Sequence, residues 1–184
     1  MPKLVRNAAI ACLGASAVYA FLFFRLGGGI WLTLAVTCGT AAYHLGVRLL
    51  VGRAYDRWMG NRADLTRKWY QPRPWEEPLY RRLRVKSWKD RMPTFYPDEF
   101  SPKKHSWSEI AQTMCQSELV HETNILVSFL PLAAAVPFGA FWVFFLTSLG
   151  GALFDLSLVI LQRYNRPRIL RLAQRQDRRK VRQG

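Results

Sequence analysis

Acidic residues and histidines are scarce in this 184-residue sequence. It contains 12 Asp and Glu against 27 Lys and Arg, with only 3 His, so its formal net charge is +15. In a soluble domain this charge would favour a nucleic-acid-binding protein. Here, however, half of the residues are hydrophobic, and they are segregated from the basic ones along the chain. That segregation excludes nucleic acid as the expected partner and favours lipid.

Cysteines and the common catalytic motifs are also few. The three cysteines, Cys12, Cys38 and Cys115, are odd in number and do not form a disulfide framework. The sequence has no His-Glu-x-x-His motif for zinc, and one Glu-x-x-His where a di-iron carboxylate site needs two. It also has no Gly-x-Ser-x-Gly nucleophile elbow. We therefore expect neither a metal nor a cofactor, and no serine-hydrolase chemistry.

Long uncharged apolar runs dominate what is present. Runs of roughly 18 or more such residues are typical of membrane spans. We predict an all-α integral membrane protein, a single membrane domain over residues 1–184, with about four transmembrane helices. The predicted helices cover about 7–24, 28–49, 119–136 and 139–162. The third contains Pro131, and either a full crossing or a re-entrant hairpin remains open.

The positions of the basic residues predict the orientation. Lys3 and Arg6 precede the first run, fifteen Lys or Arg lie between Arg48 and Lys104, and nine follow from Arg163 onward. Cytoplasmic segments carry such an excess. We therefore expect a multi-pass protein of the cell (inner) membrane with both termini in the cytoplasm. We interpret residues 1–24 as a retained signal anchor rather than a cleaved signal peptide.

Residues 52–117 form the predicted basic, aromatic-rich cytoplasmic or interfacial segment between helices 2 and 3. Trp and Tyr favour the lipid headgroup level, and Lys and Arg attract anionic lipids. We expect an interfacial helix over 76–91 within it. Two interpretations of Trp88 and Lys89 stay open, namely part of an interfacial belt or part of the lining of a substrate site.

The stretch SELVHETN, residues 117–124, could perform chemistry. Glu118 and His121 are three residues apart and share one helical face. A histidine beside a carboxylate can act as a general base, so we predict both as catalytic residues. The alternative is a polar cluster that ends the helix. A thioacyl enzyme using Cys115 is a further possibility, which its angular distance from His121 disfavours.

A second polar stretch, QRYNRPR, residues 162–168, follows the last apolar run. Its guanidinium groups can hold phosphate and its amides can donate to an oxyanion, so we predict substrate binding there. The predicted binding residues are Gln162, Arg163, Tyr164, Asn165, Arg166 and Arg168, together with Trp88 and Lys89. Pro167 is expected to end the helix, and the basic tail, 163–184, to anchor on the membrane surface.

Asp155 stands alone as a carboxylate within the fourth predicted span. Ionisable residues inside a membrane mark functional sites by default. The alternative is a hydrogen-bonded partner for Tyr43 or His44 on the second span, and the sequence does not decide between the two.

The two polar stretches resemble a known family. Glu118-Leu-Val-His121, a double apolar stretch and then Gln162-Arg-Tyr-Asn-Arg-Pro-Arg168 are similar to the glycosyl-4,4'-diaponeurosporenoate acyltransferases, small bacterial membrane enzymes of carotenoid glycoside biosynthesis. The segment VKSWKDRMP, residues 85–93, also resembles the family, and the similarity runs over about 75–172. It implies transfer of a fatty acyl group to a sugar hydroxyl of a glycosylated carotenoid.

We therefore expect a membrane O-acyltransferase. The expected donor is an acyl thioester used as co-substrate, either acyl-CoA or an acyl carrier. The expected acceptor is a hydroxyl of a lipid or glycolipid, with a carotenoid glycoside as the candidate from the resemblance. The alternative is a non-catalytic membrane scaffold or lipid-binding subunit with a polybasic anchor. The sequence predicts contact with membrane lipids, and it does not indicate an oligomeric state.

Overall fold

The protein is all-helical in the computed structural model. The structure describes residues 2–183, and side chains over residues 3–178, so Met1 and Gly184, the last residue of the predicted tail, lie outside the described part. Helix accounts for 82% of the chain, and there is no strand among the described residues. The predicted fold class is confirmed.

Among the described residues, seven α-helices follow one another along the chain. They are α1 Pro2–Leu26, α2 Gly29–Met59, α3 Glu76–Arg82, α4 Val85–Trp88, α5 Trp107–Val127, α6 Ala135–Phe138 and α7 Phe141–Gln183. Short 3-10 helices cover Lys68–Tyr70, Lys89–Arg91, Pro97–Phe100 and Leu130–Ala134.

Within residues 2–183, four helical segments are long and apolar enough to cross a membrane. They are Lys3–Leu26, Gly29–Met59, Trp107–Phe138 and Phe141–Arg178. Their number agrees with the four apolar runs in the sequence. The third segment consists of α5, a 3-10 turn that contains Pro131, and α6. A full crossing by this segment and the cytoplasmic side of the termini stay predictions.

The chain divides into two compact units. The first comprises Met1–Ala54 and Thr123–Asp155, and the second comprises Tyr55–Glu122 and Leu156–Gly184. The grouping of the whole chain as one membrane domain stays a prediction.

In the first unit, α1 and α2 approach closely through small residues. The Ser16 hydroxyl donates to the carbonyl of Ala35 at 2.8 Å. A Cβ added at Gly39 would lie 3.0 Å from the Ser16 oxygen, so a larger residue there would push the two helices apart. Small residues at such contacts are typical of helix pairs in membranes.

Asp155 forms a buried ion pair in the first unit. Arg48 Nη2 lies 2.5 Å from Asp155 Oδ2 and donates to the Gly151 carbonyl at 3.0 Å. Asn124 Nδ2 reaches the other carboxylate oxygen of Asp155 at 3.4 Å. Tyr43, one of the two partners considered from the sequence, instead donates its hydroxyl to the Val127 carbonyl at 2.7 Å.

The second unit is built on the N-terminal half of α5. Its buried apolar side chains are Tyr70, Val85, Ile110, Ala111, Met114, Cys115, Leu158, Val159 and Ala173. The 3-10 turn Lys68–Tyr70 brings Tyr70 into this core. The interfacial segment is thus packed through a few buried anchors, although prolines divide it into short helices.

The expected continuous helix over residues 76–91 is wrong. It breaks after α3, because Arg84 adopts the left-handed backbone conformation, with φ of 50°. The carbonyl exposed by the break, that of Leu83, accepts a hydrogen bond from the Trp88 indole at 3.0 Å. The side chain of Trp88 therefore caps a helix end locally.

Pro167 does not end the last helix, contrary to expectation. α7 continues through it to Gln183. A proline inside a helix costs about 3 kcal/mol, since it lacks an amide hydrogen and crowds the preceding turn. Arg163 and Arg166, on the turn before Pro167, form buried ion pairs, and these contacts offset that cost.

Candidate active site

The second unit joins the two polar stretches at Glu118. This carboxylate lies on α5 and is 0% exposed. Its Oε1 accepts a hydrogen bond from Arg163 and its Oε2 accepts one from Arg166. The two arginines are three residues apart on α7 and therefore share a face of that helix. Glu118 thus fixes both guanidinium groups at once.

Arg163 uses all of its hydrogen-bond donors within the protein. Its Nε and Nη2 donate to Glu76 Oε1 at 2.9 and 2.5 Å. Besides Glu118, its other acceptors are the carbonyls of Trp69 at 3.0 Å and Gln71 at 3.3 Å. A guanidinium has five N–H groups, and these bonds occupy five. Arg163 therefore ties α7 to α5, to α3 and to the chain just before α3.

Arg166 is held from a second side by Tyr70. It is 2% exposed, and its Nη2 donates to the Tyr70 carbonyl at 2.6 Å. Its guanidinium carbon also lies 5.4 Å from the centroid of the Tyr70 ring, which is a cation–π geometry. Burial raises the pKa of Tyr70, and the nearby Cys115 and Glu118 act in the same direction, so this ring stays neutral.

Glu76 begins α3 and is 4% exposed. In addition to Arg163, its carboxylate accepts the Tyr80 hydroxyl at 3.0 Å. Burial and this bond raise the pKa of Tyr80. The Tyr80 ring packs edge-on against Tyr164, with centroids 5.5 Å apart. Tyr164 thus contacts a residue that is bonded to Glu76.

Glu76, Glu118, Arg163 and Arg166 form what we call the arginine–glutamate network. Two carboxylates and two guanidinium groups balance their charges. Breaking a buried pair of this kind by removing one partner typically costs about 3–5 kcal/mol. The network therefore determines how α3, α5 and this part of α7 are held together.

The other predicted residues of the two stretches lie around the network. His121 is half-buried on α5, three residues after Glu118. Gln162 donates to the Ser117 hydroxyl at 3.2 Å, which joins the two stretches a second time. Asn165 is half-buried and Arg168 is exposed. The structure thus brings most of the predicted residues into one region of the second unit.

Trp88 and Lys89 make local contacts. Trp88 caps α3, as described above, and Lys89 Nζ lies 2.7 Å from Asp90. Their role in substrate binding stays a prediction. Among the described side chains, no group of three or more His, Cys, Asp or Glu is placed to hold a metal ion.

Sequence reasoning missed Glu76 and Trp69. Trp69 Nε1 donates to Glu122 Oε2 at 3.1 Å, and Glu76 is the second carboxylate of the network. The signal that could have found Glu76 is its rarity, because few acidic residues occur in this strongly basic segment.

In the part of the chain that the structure describes, four apolar helices and a buried polar network on α3, α5 and α7 define a multi-pass membrane protein with an internal polar site. The model of the glycosyl-4,4'-diaponeurosporenoate acyltransferase family matches residues 66–175, more than half of the chain, and that range holds the entire network. The chain belongs to this family and is an acyltransferase of carotenoid glycoside biosynthesis, which confirms the resemblance seen in the sequence. No curated protein and no solved structure matches the chain.

Proposed function

We propose that the protein transfers a fatty acyl group from an activated thioester to a hydroxyl of a glycosylated lipid, with a carotenoid glycoside as the first candidate acceptor. The observation that carries this proposal is the contact of Glu118 with Arg163 and Arg166. It joins the two polar stretches inside the region that matches the acyltransferase family.

His121 is the general base of the proposed reaction. Its imidazole takes the proton of the acceptor hydroxyl, whose oxygen attacks the thioester carbonyl. The new ester bond forms as the carbon–sulfur bond breaks, and the proton passes from the imidazolium to the leaving thiolate. An amide donor such as Asn165 or Gln162 is suited to the developing oxyanion.

In this mechanism Glu118 is a positioning residue for His121. Both of its oxygens bind arginines, so the carboxylate fixes the turn of α5 that carries His121. Arg163 is likewise a positioning residue, because all of its N–H groups donate to acceptors within the protein. Among the predicted cationic binding residues, Arg168 is the exposed one on α7 and is free to meet an anionic group of the donor.

The donor is acyl-CoA or an acyl carrier that approaches from the cytoplasm, and no cofactor takes part. The acceptor lipid reaches the protein from the cell membrane, with both termini on the cytoplasmic side. Exclusion of water by surrounding lipid and helices discourages hydrolysis of the thioester. The basic segment between α2 and α5 and the basic end of α7 attract anionic lipids.

Mass spectrometry of lipids and pigments tests the proposal. Cells that make a glycosylated carotenoid would express the wild type, His121→Ala or the control His105→Ala. His105 is the matched control because it is partly exposed and lies 3.9 Å from Glu99, which is not a member of the network. We expect a product heavier by one acyl group with the wild type and His105→Ala, reduced about 10²–10⁴-fold in His121→Ala.

Two results would contradict parts of the proposal. An unchanged product level in His121→Ala, at equal protein level, would remove His121 from the mechanism. A wild-type profile identical to that of empty cells, in a host shown to contain the glycoside, would exclude that acceptor.

A further inference from the structure

A cavity of about 210 Å³ lies in the second unit at the end of α2. Trp58, Arg62, Arg67, Tyr70 and Leu119 line it. Sites that enclose a drug-sized ligand occupy roughly 300–1,000 Å³. This cavity therefore suits the head of a larger ligand whose remainder lies outside it.

The loop that forms one side of the cavity is held in a fixed conformation. Gly60 and Asn61 both adopt positive φ, at 55° and 57°. The backbone amide of Asn61 donates to Gln116 Oε1 at 2.7 Å, and the backbone amide of Ala63 donates to Gln112 Oε1 at 3.2 Å. Two side chains of α5 thus pin the backbone on both sides of Arg62.

The cavity carries net positive charge. Arg62 and Arg67 are exposed, and the nearest oxygen of Asp64 lies 3.8 Å from Arg67 Nε. The other carboxylate oxygen of Asp64, Oδ1, accepts hydrogen bonds from the Thr66 hydroxyl at 2.6 Å and the Thr66 backbone amide at 2.9 Å. Two guanidinium groups and one carboxylate therefore leave a charge of about +1. By contrast, Arg163 has no donor left for a ligand.

Two lining residues connect the cavity to the arginine–glutamate network. Tyr70 presents its carbonyl and its ring to Arg166, and Leu119 follows Glu118 in α5. A ligand in the cavity therefore contacts side chains that adjoin the network directly.

We infer that this cavity binds a phosphate group, with Arg62 and Arg67 as the binding residues and Trp58 as an aromatic surface beside them. Guanidinium groups bind phosphate through paired, charge-assisted hydrogen bonds. The phosphate belongs to the acyl donor, an assignment that rests on the proposed function. The headgroup of an anionic lipid offers the same chemistry and is the other source.

The experiment measures binding to the full-length protein in neutral detergent. Coenzyme A is the probe for the donor, and its binding is measured by isothermal titration calorimetry. Phosphatidylglycerol is the probe for a lipid headgroup, and its binding is measured by native mass spectrometry. The variant is Arg62→Ala/Arg67→Ala. The control is Arg81→Ala/Arg82→Ala, which removes the same charge from exposed positions on α3. We expect coenzyme A to bind the variant about tenfold or more weakly, with the control unchanged.

Each outcome decides the matter. Weakened phosphatidylglycerol binding with unchanged coenzyme A binding would assign the phosphate to a lipid. Equal losses in the variant and the control would show a non-specific charge effect and overturn the site, as would unchanged binding of both probes. His121→Gln separates this inference from the proposed function, because it should abolish acyl transfer and leave coenzyme A binding intact.

Discussion

Arg48 and Asp155 form an ion pair of 2.5 Å in which the carboxylate is 0% exposed. Arg48 is further fixed by the carbonyls of His44 and Gly151. A charge within a membrane-spanning segment is costly unless it is paired. This pair therefore explains why an isolated carboxylate is tolerated in an otherwise uncharged run of α7.

Removing one partner should destabilise the protein. Asp155→Asn leaves Arg48 without its counter-charge, at a cost of about 3–5 kcal/mol. We expect a much lower yield of monodisperse protein in size-exclusion chromatography after mild heating in detergent. The double variant Arg48→Gln/Asp155→Asn, which removes both charges, should recover most of that yield. Failure of the double variant to recover would mean that the pair matters for more than charge balance.

Arg163→Lys keeps the positive charge in the network and changes the number and geometry of its hydrogen bonds. Lysine has three donors where Arg163 uses five, so at least two bonds are lost. At about 1.5 kcal/mol for each bond to a charged group, the loss is about 3 kcal/mol. We expect a clearly lower apparent melting temperature in detergent and reduced acyl transfer. Arg171→Lys, an exposed position on the same helix, is the control and should change neither. A normal melting temperature for Arg163→Lys would refute the bonding described for it.

Tyr80 gives the network a defined pH dependence. Burial and the bond to Glu76 raise its pKa, so folding favours the neutral phenol over the phenolate. The stabilisation is therefore fully present below the unfolded pKa of about 10 and is lost as the pH rises above it. We expect the difference in stability between the wild type and Tyr80→Phe to be constant from about pH 7 to 9 and to shrink above about pH 10.

Thermal unfolding in detergent across this pH range checks that prediction. Tyr96→Phe, a half-exposed tyrosine, is the control and should show no such trend. A difference that grows with pH would reverse the sign and exclude Tyr80 as the donor to Glu76.

The sequence predicted the membrane helices well because their signal is local. Each long uncharged run marks a span by itself, without knowledge of its neighbours. The meeting of residues 117–121 with 162–168 was also predictable in outline, since two consecutive spans return the chain to the same side. In the structure the two stretches meet where Glu118 contacts Arg163 and Arg166.

The partners of individual charges could not be predicted in the same way. Glu76 and Arg163 are 87 residues apart, and Arg48 and Asp155 are 107 apart. Such pairs leave no periodic pattern in the sequence, and many arginines compete for few carboxylates. Pro167 was misjudged for a related reason, because its local preference to end a helix is outweighed by long-range contacts of the preceding turn.

Cys115 tests whether a covalent acyl-enzyme takes part. Its side chain lies on α5 in the core of the second unit and is 0% exposed. A nucleophile must reach the thioester carbonyl, and a thiol that is closed off on every side does not do so. We therefore expect Cys115→Ser to keep full acyl transfer and to form no acyl adduct, as followed by intact-protein mass spectrometry with a radiolabelled or heavy acyl donor. An adduct present in the wild type and absent from Cys115→Ser, with activity lost in parallel, would replace the direct attack assisted by His121 with a two-step mechanism.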